Sequence, residues 1–314
     1  MSDKLKNFFV RTASGAVLLG IVLAAIFSGV WGYGALLLAV TIIGVWEFYG
    51  LVRAKGIEPQ RGLGLLMSLA LFFAGFISSL YIYGETDDDS ILGLGVLLLL
   101  IFAMLLVVTF VIEVFRNRQT PIYNIATTIM GAVYVALPMA ILTLLPAYLN
   151  SVIYRGDEWI PWVFLFYLLL VWGNDVFAYL VGVTMGKHRM CERLSPKKSW
   201  EGFVGGVVGS AAVGAIAASV LGGSYGVWIG LAVVVALASV VGDLVESMFK
   251  RDAGVKDSGA IMPGHGGILD RFDALIISAP FALLYLYVMD ILSLTPLKYL
   301  LHPYMHPPFR GYLV

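Results

Sequence analysis

The sequence predicts an all-α polytopic membrane protein, with about nine transmembrane helices, the N-terminus cytoplasmic and the C-terminus outside. Three observations predict it. Of the 314 residues 60% are hydrophobic and only 13% charged, with a mean hydropathy of +0.91. Nine apolar runs reach membrane-spanning length, whereas a buried helix of a soluble core is usually shorter. The cations, finally, are shared unequally between the segments that join those runs.

In order, the runs are Phe8–Ser28, Tyr33–Leu51, Leu63–Tyr83, Ile91–Val114, Ile125–Leu145, Ile160–Val183, Phe203–Leu221, Val227–Phe249 and Phe272–Leu292. With the N-terminus inside, the inner segments hold 17 of the 20 Lys and Arg residues. Arg155, Lys298 and Arg310 fall outside, as does the acidic run Glu85, Asp87, Asp88 and Asp89. A formal net charge of zero conceals this asymmetry. Cys191 is the single cysteine, so an intramolecular disulfide and a cysteine metal cluster are both excluded. The first run lacks a small-residue cleavage pattern and leads directly into the second, which argues against a cleaved signal peptide. No internal repeat is visible. The chemistry-bearing residues gather late, which suggests a transmembrane scaffold over residues 1–150, of about five helices, and a catalytic half over 151–314, of about four.

Glu47, Glu113, Asp175, Asp243 and Glu246 lie within or at the ends of the runs, where ionised groups are costly and usually functional. At 1.5 Å per residue Asp175 lies roughly 22 Å along its span and Asp243 roughly 25 Å along its own. Asp270 and Asp273 open the last span from the inner side, so all four meet near the inner interface. In "GDLVESMFK", Asp243, Glu246, Ser247 and Lys250 follow i, i+3, i+4, i+7 and share one helix face. Carboxylates so placed repel one another unless protons or a cation intervene. Oxygen ligands without a His or Cys cluster suit a hard ion such as Mg²⁺, with Asp243, Asp270 and Asp273 as the candidate ligands. Helix capping by Asp270 and an ion pair from Asp243 to Lys250 or Arg251 are the plainer alternatives.

Two inner loops, "GKHRMCERLSPKKSWEG" and the stretch from Lys250 to Asp273, carry nine Lys or Arg residues. Their glycine-rich turn, Pro263-Gly264-His265-Gly266-Gly267, allows backbone N–H groups to approach an anion. Cations, glycine-rich backbone and a carboxylate-held metal together are the apparatus of phosphoryl chemistry. His265 is a candidate base or phosphate donor. Gly205, Gly206 and Gly209 read as close helix packing.

The segment Ser247 to Asp273, S-M-F-K-R-D-A-G-V-K-D-S-G-A-I-M-P-G-H-G-G-I-L-D-R-F-D, resembles the signature of the phosphatidate cytidylyltransferases, or CDP-diacylglycerol synthases. Every element of that signature is present: Ser, a Lys-Arg pair, Lys-Asp, Pro-x-His-Gly-Gly and Asp-Arg-x-Asp. "WGNDVFAY" at 172–179, "LSPKKSWEG" at 194–202 and "GDLVES" at 242–247 extend the likeness. The resemblance implies transfer of CMP from CTP to phosphatidic acid, giving CDP-diacylglycerol and pyrophosphate, in the service of phospholipid synthesis. Carried over residue by residue, it implies catalytic roles for Asp243, Asp270, Asp273, Lys250, Arg251, His265 and Arg271. Substrate binding falls to Asp175, Ser195, Lys197, Lys198, Ser247, Lys256, Gly266 and Gly267, with Glu201 and Glu246 orienting lysines. Mg²⁺ is the expected cofactor, a second cation being left open. CTP, phosphatidic acid and membrane lipids are the expected partners, without nucleic acid. Small residues in the seventh run permit a homodimer. The compact chain fits a bacterial inner membrane, with the active site on its cytoplasmic face.

Two other readings compete. An ion-coupled secondary transporter shares the intramembrane acids, but such proteins place their site near the midplane and often repeat internally. A CTP-dependent polyprenol or lipid kinase shares the phosphate chemistry and lacks the full signature. CDP-alcohol phosphotransferases are excluded by the missing D-G-x-x-A-R motif.

Overall fold

The computed structural model describes residues 3–85, 90–154, 159–262 and 266–294. They form α1 (Asp3–Phe27), α2 (Gly29–Ala54), α3 (Arg61–Ile82), α4 (Ser90–Arg116), α5 (Pro121–Gly131), α6 (Leu137–Tyr154), α7 (Pro161–Met185), α8 (Trp200–Leu221), α9 (Tyr225–Asp252) and α10 (Leu269–Leu294). A π-helical turn, Ala132–Ala136, splices α5 to α6, so that the two make one span. Among the described residues eight helical segments are long and apolar enough to cross a membrane, and α1 adds a shorter apolar stretch, Thr12–Phe27. The chain is an integral membrane protein of helical class. The acidic run at 86–89 and the segments around Arg155, Lys298 and Arg310 lie outside the described residues.

The outer surface explains the composition. On α4, Leu100 and Val107 are each 62% exposed and Phe115 is 82% exposed. A helix apolar on every side yet open on most of them is stable only where the solvent is itself apolar. Local sequence sets the helix ends. Proline occupies the first turn of α5 and α7, where its missing N–H costs nothing. Ser199 and Ser224 cap α8 and α9 by accepting from the N–H groups of Gly202 at 3.1 Å and Gly226 at 3.2 Å.

Small residues set the closest approach. Cβ atoms added at Gly205, Gly206 and Gly209 would meet Val181, Asn174 and Phe177, so α8 lies directly on α7. The small residues of the seventh run are thus used within the chain. Lys55 pairs with Asp252 at 2.6 Å, joining the ends of α2 and α9. Glu113, buried on α4, accepts from Gln60 and Asn124, each at 2.7 Å, and pairs with Arg116. This knot ties the α2–α3 connection to α4 and α5 at the same end of the bundle.

A short antiparallel hairpin is the one sheet among the described residues. β1 (Arg189–Cys191) pairs with β2 (Ser195–Ser199), Cys191 facing Ser195 and Arg189 facing Ser199. It precedes α8 and is placed by Glu201, whose carboxylate accepts from the N–H groups of Lys187 at 3.1 Å and His188 at 3.2 Å.

Candidate active site

The site forms where α7, α8, α9 and α10 meet the hairpin. Gly242 of α9 lies against α10 so closely that an added Cβ would stand 2.5 Å from the carbonyl oxygen of Asp273. That contact sets the neighbouring Asp243 beside Asp273. The third member is Glu246, one turn further along α9. Carboxylate oxygens of Asp243, Glu246 and Asp273 lie within 4.8 Å of one another.

Two lysines face this trio. Lys198 of β2 pairs with Asp243, which in turn accepts from Ser247 Oγ at 3.4 Å. Alternation along the strand sends its neighbour Lys197 the other way, and Lys197 is exposed. Lys250 donates to Asp270 Oδ1 at 2.6 Å and lies 2.5 Å from Glu246 Oε2. The side chains of Lys250, Glu246 and Asp270 are 14%, 1% and 5% exposed, so this ion triad is buried. Asp175 of α7 interacts electrostatically with Asp243 and Lys198, and Asp273 with Asp243 and Asp175.

Asp270 is held differently from the trio. Its Oδ2 accepts from the N–H groups of Ser258 at 2.9 Å and Gly267 at 2.8 Å and from Ser258 Oγ at 2.9 Å. With Lys250 on Oδ1, both of its oxygens are thereby engaged, and Asp270 clasps Ser258 and Gly267 to the start of α10. Gly266, at φ +85°, leaves the space that this carboxylate fills. Of the three aspartates expected to ligate metal, Asp243 and Asp273 stand together, and Glu246, expected to orient lysines, completes the trio. Pro263, Gly264 and His265 lie outside the described residues. Ser195 sits in the hairpin, while Arg251, Lys256 and Arg271 are exposed in or beside the same loops.

Of two further contributors, the sequence marks Glu47 as an intramembrane acid without a role and gives no sign of Tyr134. Glu47 of α2 accepts from the N–H groups of Ile268 at 3.1 Å and Leu269 at 2.8 Å, capping α10 from more than 200 residues away. Ser258 Oγ lies 3.3 Å from the same carboxylate, and Cβ atoms added at Gly259 or Gly267 would collide with it. The second is Tyr134, carried on the π turn. Its buried hydroxyl has no hydrogen-bond partner among the described residues, and it lies within electrostatic range of Asp273 and Glu246. Single π turns inside helices often mark functional positions, but no local sequence signal forecasts this one.

The carboxylate trio fits a hard divalent cation. All its donors are oxygen. Glu246 is buried beside Asp270, and these two carboxylates share Lys250 between them. A buried carboxylate left in that condition needs a cation or a proton.

A family model described as "Cytidylyltransferase family" matches residues 9–289. The chain belongs to that family. It is 31% identical over 304 residues to the "Phosphatidate cytidylyltransferase" of Synechocystis sp., an alignment covering 90% of this chain and 97% of that one. The protein of the same name from Haemophilus influenzae is 34% identical, with 86% of this chain and 96% of the relative aligned. That of Pseudomonas aeruginosa is 35% identical, with 86% and 93% aligned. The family match encloses the trio, both lysines and Glu47, so the whole site lies inside it.

Proposed function

We propose that this cytidylyltransferase joins CTP to phosphatidic acid, giving CDP-diacylglycerol and pyrophosphate. The observation that carries it is the trio Asp243, Glu246 and Asp273 flanked by Lys198 and Lys250 at one end of a membrane bundle. A lipid phosphate oxygen attacks the α-phosphorus of CTP, and the bond to the pyrophosphate oxygen breaks. Both reactants are anions, so positioning and charge neutralisation matter more than a strong base. Lys198 and Lys250 supply positive charge, while Lys197 on β2, Arg251 at the end of α9 and Lys256 beyond it are exposed to meet the triphosphate. Asp243, Glu246 and Asp273 would hold Mg²⁺, which when bound adds charge neutralisation on the phosphates that side chains alone do not provide. Asp270 supports this site by fixing Lys250, Ser258 and Gly267. The concentration of cations at this end, 17 of 20 on the positive-inside count, supports a cytoplasmic site and a cytoplasmic N-terminus in a bacterial inner membrane.

The test uses purified protein in detergent with phosphatidic acid, labelled CTP and Mg²⁺. Label should move into lipid, disappear with EDTA, and fall on the order of a hundredfold or more in Asp243→Asn. Label absent from lipid with folded wild-type protein would overturn the assignment. Gly242→Ala probes the same geometry from the backbone. Its methyl group must push α9 off α10, at roughly 1–3 kcal/mol, and part Asp243 from Asp273. Transfer should fall at least about tenfold, the rate equivalent of about 1.4 kcal/mol, while circular dichroism keeps its helical signal.

A further inference from the structure

Between α1, α2, α6, α7 and α10 lies a cavity of about 330 Å³. Its lining is apolar, with Leu18, Leu37, Leu142 and Leu168 among its walls, and Arg271 is the one charged residue on it among the described residues. Arg271 belongs to the first turn of α10, between Asp270 and Asp273. The cavity therefore meets the carboxylate site at its cationic end. Phe164 and Trp172, both on its wall, are eight residues apart on α7, which is roughly 12 Å of helix. One leaflet of a hydrocarbon core about 30 Å thick is only slightly longer.

We propose that this cavity receives one fatty acyl chain of the phosphatidate substrate, with Arg271 paired to the lipid phosphate. The inference rests on the function proposed above and names where its lipid lies. Charge complementarity decides the occupant. A single cation at one end suits an anionic head, and the wall beyond it offers almost nothing to a polar ligand. The Tyr33 hydroxyl is already donated to Leu142 O at 2.7 Å. A nucleotide placed there would bury its sugar and base unpaired, whereas an alkyl chain asks for no partners. Leaving the bilayer gains the chain little, because lipid tails are as apolar as leucine. Selection therefore comes from fit, and one methylene too many for an apolar pocket costs roughly tenfold or more.

The test compares wild type with Leu168→Trp, which fills the cavity, using dihexanoyl and dipalmitoyl phosphatidate and labelled CTP. The ratio of kcat/KM for the long lipid over the short one should fall by roughly tenfold or more in the variant. An unchanged ratio, or an equal loss on both lipids, would overturn the inference. A phosphatidate carrying a photoreactive group at its chain end supplies a readout that needs no turnover. Crosslinks should map to Gly15–Val22 and Phe164–Trp172 and weaken in the variant, whereas labelling confined to the outer face of α4 would overturn the cavity assignment. Should wild-type protein transfer no label to any phosphatidate, the proposed function fails by itself, and the crosslink map still decides whether the cavity takes the chain.

Discussion

Replacing Lys250 with methionine is expected to lower both stability and transfer by more than any other single change at the site. Lys250 lies 2.6 Å from Asp270 and 2.5 Å from Glu246, and all three side chains are largely withdrawn from solvent. Removing one partner of a buried ion group strands the opposite charge, at a cost of about 3–5 kcal/mol. Here two carboxylates are stranded, and Asp270 also loses the partner of the oxygen that Ser258 and Gly267 do not hold. The melting temperature in detergent should drop, and label transfer should be abolished. Lys250→Met combined with Glu246→Gln separates the two effects. The glutamine removes one stranded charge, so stability should recover in part while transfer stays absent. A melting temperature unchanged in Lys250→Met would show that the triad contributes nothing to folding.

The polar layer was legible because helical spacing is a local property. Asp243, Glu246, Ser247 and Lys250 occupy one face at i, i+3, i+4 and i+7, and the structure turns that face toward α10. Nine apolar runs, the basic loops and the packing glycines of α8 were legible for the same reason. The division of labour among carboxylates was not. Whether Asp270 or Glu246 stands with Asp243 and Asp273 depends on where Ser258 and Gly267 meet Asp270, and no pattern in the sequence encodes that. Tyr134 was hidden because a π turn inserts a single residue's worth of rotation into an otherwise ordinary apolar run. The hairpin was hidden because Pro196 and two lysines read equally well as a loop.

Glu47 shows most clearly how the depth of the site is set. It lies seven residues before the end of α2, roughly 10 Å below it, yet its carboxylate caps α10. The loop after α9 must therefore descend into the bundle before α10 begins. Non-helical backbone at such depth persists only where protein groups satisfy it, and Glu47 satisfies two N–H groups at once. Gly259 and Gly267 have no room for a side chain because that carboxylate fills the space. Glu47→Ala leaves the N–H groups of Ile268 and Leu269 unpaired, each at about 1–3 kcal/mol, and removes a negative charge from the start of a helix. The loop should loosen, with amide exchange accelerating at 266–269 and transfer falling on the order of a hundredfold. Glu47→Gln keeps a carbonyl acceptor for one of the two N–H groups. It should recover part of the rate and part of the exchange protection together, because both follow from the same cap. Equal transfer in wild type and Glu47→Ala would mean that the reacting groups hold their places without the cap, and Glu47 would then serve folding alone.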